Sequence, residues 1–360
     1  MNTIAVLTHS KNYYVHIGTG LLDCAGELSL TRCAPGPAVV VSDSNVAPLY
    51  ASRVVKSLAG AGFSPELSVI PAGESSKSAG RLLALLSYMA QRRMTRNSTV
   101  FALGGGVTGD LAGLAASLYM RGTGFVQLPT SLLAAVDSSV GGKTAIDLAE
   151  GKNLVGTFYQ PDLVLCDTGA FSTLPEQQTA NGFGEIIKTG MICDEKLFDT
   201  ASHAEAVRHI GEIVTRCVEI KKSIVERDER ETGGLRQILN FGHTFGHAIE
   251  KCSGFAMPHG FCVAAGMALI TKACARKGIC SAETCLRLCT ALRNHGLPVS
   301  TDFSAGELFD AMMSDKKRAG GTVTLILPRA PGRVERRSVS LDEARSFLED
   351  GLSAPESAPQ

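Results

Sequence analysis

The residues best placed to do chemistry are the histidines of Leu239-Asn-Phe-Gly-His243-Thr-Phe-Gly-His247. They stand four apart, so on a helix they share one face, and this is the spacing of two ligands to one metal ion. His259 follows in Pro258-His-Gly260, and Glu185 lies upstream in Gly184-Glu-Ile-Ile-Lys188. One carboxylate with two or three imidazoles makes a zinc-type centre with an open position, able to polarise a substrate oxygen. Spacing alone leaves open which histidines ligate, and a helix that merely packs both is the competing account. His9, His16, His203, His209 and His295 have no such company and read as surface or packing residues.

A second segment, Gly104-Gly-Gly-Val-Thr-Gly-Asp110, follows an apolar run and opens a helical one. Glycines let a backbone approach phosphate closely, and a helix N-terminus favours the negative charge. Gly104, Gly106 and Gly109 fall at Gly-x-Gly-x-x-Gly spacing, but the segment is not read as the dinucleotide fingerprint; a tight strand–helix turn is the alternative. Asp43 ends an earlier strand and could accept a ribose hydroxyl or cap a helix. Cations recur among glycines in Asp137-Ser-Ser-Val-Gly-Gly-Lys143 and Gly151-Lys-Asn153, with Lys188, Lys221, Arg236 and Lys316-Lys317 further on. Gathered together they could hold phosphate and carboxylate groups; taken singly, each reads as solvated surface.

These residues need elements to position them. Pro37–Ser42, Ser98–Leu103, Gly124–Leu128 and Asp162–Cys166 are mostly apolar strand candidates, and Ala79–Arg92 has leucines at helical spacing. Such alternation predicts a parallel sheet covered on both faces, with ligands beyond the carboxyl ends of its strands. From about Leu174 the pattern turns helical, over Glu205–Arg227, His243–Lys251, Gly260–Lys277 and Ser281–His295, with one late hairpin at Gly321–Pro328 and Gly332–Arg337. The expected organisation is a Rossmann-like α/β domain over 1–170, a mostly α-helical domain over 171–350 and a flexible tail over 351–360.

A chain of 360 residues, 44% hydrophobic, can bury two cores. Its 35 basic and 35 acidic residues cancel, which argues against a nucleic-acid or membrane-surface partner without excluding a locally basic pocket for an anionic substrate. The eleven cysteines include no Cys-x-x-Cys pair and read as reduced thiols of a cytoplasmic protein. The N-terminus lacks signal-peptide features, and no run is long enough to span a membrane.

Taken in order, several long segments resemble the 3-dehydroquinate synthase family of the sugar-phosphate cyclase superfamily. They are Gly104–Gly113, Arg121-Gly122, Leu128–Thr144, Gly151–Pro161, Asp228–Glu231 and the histidine segment, and the resemblance runs from about Asp43 to Pro328. It implies an N-terminal NAD-binding domain and a C-terminal metal domain, usually in a homodimer. It implies Glu185, His243 and His259 as ligands of Zn2+ or Co2+, with His247 a proton-transfer residue beside substrate phosphate. NAD would be contacted by Asp43, Asn45, Glu74, Lys77, Gly104, Gly105, Gly106, Asp110, Thr130, Ser131, Asp137, Lys143 and Lys152. The substrate would be lined by Asp137, Lys143, Asn153, Lys188, Lys221, Arg236, Asn240 and one of Lys316 or Lys317, with Arg121 reaching phosphate.

The implied reaction converts 3-deoxy-D-arabino-heptulosonate 7-phosphate to 3-dehydroquinate. NAD takes hydride from the C5 alcohol, phosphate is eliminated, hydride returns, and ring opening and an intramolecular aldol follow. Three positions depart from the family pattern: Phe261 stands where Glu usually follows His-Gly, Thr189 stands for Tyr, and one extra residue separates Glu231 from Arg236. Rival readings are a C7-cyclitol or deoxyinosose synthase and a metal-dependent glycerol-type dehydrogenase. A catalytically dead NAD-binding scaffold is the non-enzymatic alternative. Cyclitol-forming members of the superfamily tend to replace this Asn and Lys pair, so the resemblance through Asn240 and Asp315-Lys-Lys317 implies a carboxylate-bearing substrate.

Overall fold

The structure, a computed structural model, describes residues 1–316 and 321–353. The chain divides into two compact units, Met1–Pro175 with Lys221–Arg230, and Glu176–Ile220 with Glu231–Gln360. This differs from a single cut at 170/171, for reasons visible in the first unit. The turn Thr168–Thr173 is tied to it, with the Tyr50 hydroxyl donating to Ala170 O at 3.1 Å and lying 2.6 Å from Thr173 Oγ1. Lys221–Arg230 is tied to it by Lys221 on Asp137 and by Glu229, which accepts from Gln160 Nε2 at 2.9 Å.

The first unit contains strands β1 (Asn2–Leu7), β2 (Asn12–Gly18), β3 (Pro37–Asp43), β4 (Ser64–Ile70), β5 (Thr99–Gly104), β6 (Gly124–Pro129), β7 (Lys143–Leu148), β8 (Gly151–Phe158) and β9 (Leu163–Asp167). Its helices are α1 (Ala25–Ser29), α2 (Ala47–Gly60), α3 (Ala79–Gln91) and α4 (Gly106–Leu118). The main sheet runs β1-β2-β9-β6-β5-β3-β4, with only the β1–β2 pair antiparallel.

Alternation along the strands builds a core on each face of this sheet. Val40, Phe101 and Leu103 pack with Tyr50, Val54 and Leu58 of α2. Val39, Val41 and Val100 pack on the other face with Leu82, Leu85 and Met89 of α3 and Leu111 of α4. The segment containing Gly151-Lys-Asn153 is part of an antiparallel β7–β8 hairpin.

The second unit has α5 (Glu176–Cys193), α6 (Glu195–Ala201), α7 (Ile210–Arg227, ending in the first unit's segment), α8 (His243–Cys252), α9 (His259–Arg276), α10 (Ala282–Asn294), α11 (Ala305–Lys316) and α12 (Leu341–Ser353). Strands β10 (Thr322–Ala330) and β11 (Arg333–Ser340) form its hairpin. Helix α9 is buried almost throughout and packs against α5, α8, α10 and α12. It can be so because it is nearly all small or apolar; its Lys272 donates to Val299 O at 2.8 Å. Residues 351–353, expected to begin a tail, continue α12, where Gly351 packs against the backbone of Leu269. No helix among the described residues is long and apolar enough to cross a membrane.

Candidate functional site

In the second unit, glycines decide how three helices meet. A Cβ on Gly184 of α5 would lie 2.6 Å from Gly260 O of α9. A Cβ on Gly266 of α9 would lie 2.1 Å from Gly242 O, at the start of α8, and one on Gly246 of α8 would lie 2.9 Å from Cys262 O. The backbones therefore touch where any side chain would hold them apart. Glu185 follows Gly184 and His259 precedes Gly260, so the same contacts bring these two together. His243, the first residue of α8, completes the group.

Ligand atoms of Glu185, His243 and His259 all lie within 4.8 Å of one another. Glu185 Oε1 is 3.8 Å from His243 Nε2 and 3.6 Å from His259 Nε2. Its side chain is 1% exposed, and neither oxygen accepts a hydrogen bond of good geometry; Lys188 Nζ forms an ion pair with Oε2. His243 Nδ1 lies 3.2 Å from Phe241 O, so it carries the proton and leaves the Nε2 lone pair facing Glu185. A buried carboxylate and two inward imidazole nitrogens suit a divalent cation of the zinc type.

Electrostatics reinforce this. Burial pushes the Glu185 carboxyl up, but Lys188 and the two imidazoles outweigh it and hold the group well below its ordinary value. Burial and Lys188 hold His243 well below the ordinary histidine value, so it is a neutral donor. Burial also disfavours the His259 imidazolium, yet the flanking carboxylates Glu185 and Glu250 raise it to about 9 without metal.

His247 is exposed, with its ring centroid 5.2 Å from that of His243 and 5.9 Å from that of His259. His247, Glu250 and His259 form a second group with ligand atoms within 4.8 Å. In the same unit Lys188 and Arg236 are buried, and Asn240 Nδ2 donates to Glu231 Oε1 at 3.3 Å. Thr189, where Tyr was expected, turns its hydroxyl back to Glu185 O at 2.8 Å. The Lys316 side chain and Lys317 lie outside the described residues.

In the first unit the strand order reverses between β3 and β5, the position where open parallel sheets bind ligands. Asp43 ends β3; Gly104 ends β5, and Gly105 and Gly106 lead into α4. Asp43 Oδ1 accepts from the amides of Asn45 and Val46 at 2.9 and 3.1 Å, and Thr108 Oγ1 donates to its Oδ2 at 3.3 Å. Thr130 N donates to Gly104 O at 3.0 Å. Side chains at Gly105 and Gly106 would crowd Ser131 Oγ (3.3 Å) and Ser138 Oγ (3.1 Å), so this backbone stays bare.

Beside it Lys77, 4% exposed, donates to Asp110 Oδ2 at 2.8 Å and to Asn153 Oδ1. Glu74 Oε1 lies 3.7 Å from Lys77 Nζ and 3.5 Å from Lys152 Nζ. Burial pushes the Asp110 carboxyl up to about 6 despite Lys77. Asp137 Oδ1 accepts from Lys221 Nζ at 2.6 Å. Lys143 and Arg121 are exposed, and Arg121 holds a left-handed φ of 67°.

The structure brings forward one residue the sequence reading passed over. Glu250 is 4% exposed, and its Oε2 is 3.7 Å from His259 Nδ1. The available signal was its place seven residues after His243 on the same helical face.

Comparison with known proteins adds to this geometry. Residues 67–181 match the family described as 3-dehydroquinate synthase N-terminal, and residues 182–318 match 3-dehydroquinate synthase C-terminal. A curated 3-dehydroquinate synthase from Enterococcus faecalis is 42% identical over 352 residues, covering 96% of this chain and 98% of the relative. A 2-deoxy-scyllo-inosose synthase, crystallised with carbaglucose-6-phosphate, NAD+ and Co2+, superposes with a TM-score of 0.87 at 25% identity, covering 98% of this chain and 100% of that one. A 2-epi-5-epi-valiolone synthase from Streptomyces hygroscopicus, with NAD+ and Zn2+ bound, gives 0.86 at 29% identity, covering 96% and 98%.

Proposed function

The chain belongs to the 3-dehydroquinate synthase family, and from that premise we propose how its residues divide the work. It is a phosphate-eliminating lyase that converts 3-deoxy-D-arabino-heptulosonate 7-phosphate to 3-dehydroquinate and phosphate, a step of the shikimate route to aromatic amino acids. Its cofactors are NAD and a divalent metal. One observation carries the reading: Glu185, His243 and His259 converge beside the buried Lys188, in a chain 42% identical to a curated synthase over nearly its whole length.

We assign the metal, zinc or cobalt, to Glu185, His243 and His259. When bound, the metal would acidify the substrate's C5 alcohol while NAD accepts and later returns a hydride. Asp43, Asn45, Glu74, Lys77, Asp110, Thr130 and Ser131, with the bare backbone of Gly104 to Gly106, hold the dinucleotide. Lys143, Asn153, Lys188, Lys221, Arg236 and Asn240 hold the substrate's anionic and hydroxyl groups, assisted by Asp137, Lys152 and one of Lys316 and Lys317. His247 moves the proton that accompanies phosphate departure. Fixed cations and amides of this kind lower the barrier by placing the substrate before charge develops. The enzyme works as a cytoplasmic homodimer, Arg121 reaching phosphate in the partner subunit's site.

The test is turnover of the heptulosonate phosphate by purified protein with NAD and Zn2+ or Co2+. Inorganic phosphate should appear with no net NADH. Stoichiometric NADH would indicate a dehydrogenase. Phosphate release from sedoheptulose 7-phosphate alone would indicate a cyclitol synthase.

A further inference from the structure

We propose that Glu250 is a positioning residue for the metal centre: its carboxylate receives the Nδ1–H of His259 and so turns Nε2 of that ring toward Glu185 and the metal. The inference rests on the assignment of Glu185, His243 and His259 as ligands.

The geometry treats the two ligand histidines alike. Each presents Nε2 to Glu185 Oε1, at 3.8 Å for His243 and 3.6 Å for His259. Each has an oxygen at Nδ1, Phe241 O at 3.2 Å for His243 and Glu250 Oε2 at 3.7 Å for His259. An imidazole carries one proton on two nitrogens when neutral. An acceptor at Nδ1 therefore selects the tautomer whose lone pair lies on Nε2. His259 needs this help more than His243. It is the first residue of α9, and its side chain is 33% exposed against 12% for His243. At 3.7 Å the Glu250 contact has ion-pair length, and with metal on Nε2 and the proton on Nδ1 it would shorten to a hydrogen bond.

Burial and charge make the same point. Glu250 is 4% exposed, and burying a carboxylate is unfavourable unless its charge is compensated. It lies on the stripe of α8 that carries His243 and His247, so the helix aims it at the metal site. Glu185 is already matched by the Lys188 ammonium. A divalent cation would thus arrive with its charge unbalanced by the ligands, and Glu250 supplies a second carboxylate through the imidazole. Carboxylate–histidine–metal relays of this kind fix ring orientation and raise ligand basicity, and their loss weakens metal binding about 10- to 100-fold.

Cobalt(II) titration of metal-stripped full-length protein against a competing chelator, with the visible d–d spectrum recorded, tests this. Glu250→Ala should bind cobalt about 10- to 100-fold more weakly, with an altered d–d envelope. Glu250→Gln, whose amide oxygen still accepts from Nδ1–H, should recover much of the affinity, and it keeps the test readable should the alanine variant not fold. Unchanged affinity and spectrum in folded Glu250→Ala would overturn the proposal. So would a lower melting temperature of the metal-free variants with wild-type cobalt binding, the mark of a purely structural role. Loss as complete as in Glu185→Ala, with His243→Ala still binding, would make Glu250 a ligand of the neighbouring His247–Glu250–His259 group instead. Should Glu185→Ala bind cobalt as wild type does, the ligand assignment itself falls and the positioning role with it.

Discussion

Replacing Gly266 by alanine should damage the metal centre without touching any ligand. The added Cβ would lie 2.1 Å from Gly242 O and 2.6 Å from Gly246 N, both backbone atoms. Real Cβ contacts essentially never fall below 3.0 Å, so α8 and α9 must part by roughly 0.9 Å, the difference between those two distances. Overpacking of this kind costs about 1–3 kcal/mol, or a fall of roughly 2–12 °C in melting temperature for a unit of this size. His243 rides on α8 and His259 on α9, and metal sites tolerate only about 0.2 Å in ligand distance. The separation therefore exceeds the tolerance several-fold, and metal affinity should drop by more than tenfold. Thermal unfolding with and without Zn2+ reads both effects, because a ligand of the folded state raises the melting temperature according to its affinity. The variant should start lower and gain less from metal. Gly211→Ala is the control: its Cβ would meet nothing within 4 Å, and alanine is the better helix former. A Gly266→Ala protein with wild-type melting temperature and the full metal-induced increment would refute the idea that backbone contact between α8 and α9 sets the ligand geometry.

Glu185→Ala and His243→Ala should abolish metal retention on a desalting column, measured by metal analysis, whereas His247→Ala should keep the metal and lose turnover; equal metal loss in all three would refute the division of roles. Asp110 should contribute a pH dependence of known sign. Its folded value, about 6, lies above its ordinary 3.8, so the native state binds the extra proton and this stabilisation is lost as pH rises through about 6. Wild type should therefore lose stability relative to Asp110→Asn between those two values in urea titrations, and a difference that is flat or of opposite sign would count against it. A thiol reagent added to native protein should label the exposed Cys24 and Cys193 and spare the buried Cys33, Cys166, Cys217, Cys262, Cys274, Cys280 and Cys289. Mass spectrometry of the labelled peptides checks this, and rapid labelling of any of those seven would contradict the packing.

By itself the sequence determined whatever depends on short-range pattern. Mostly apolar runs marked β3, β5, β6 and β9, because strands buried on both faces have no solvent-facing polar side to show. Helical spacing marked α3, α8, α9 and α10, and the four-residue interval put His243 and His247 on one face. Elements with weaker local signals were missed. Strand β4 is largely exposed and contains Pro65, and β8 opens with Gly151-Lys-Asn153 and is exposed over much of its length, so no apolar run marks it. Glu205–Arg227 reads as one helix, yet its first turn is 3-10 over Ala204–His209 before α7 begins.

Only the tertiary structure decided which distant groups meet. Glu185 reaches His243 and His259 because Gly184, Gly242, Gly246, Gly260 and Gly266 allow three helix backbones to touch, a contact no local periodicity encodes. The i, i+4 pair suggests a two-histidine clamp, but the geometry joins His243 to Glu185 and His259 on two other helices, while His247 is exposed and groups with Glu250 and His259. Glu250 is one more helical carboxylate in the sequence. Burial against His259 makes it part of the site, because the burial of a charge depends on every element packed around it.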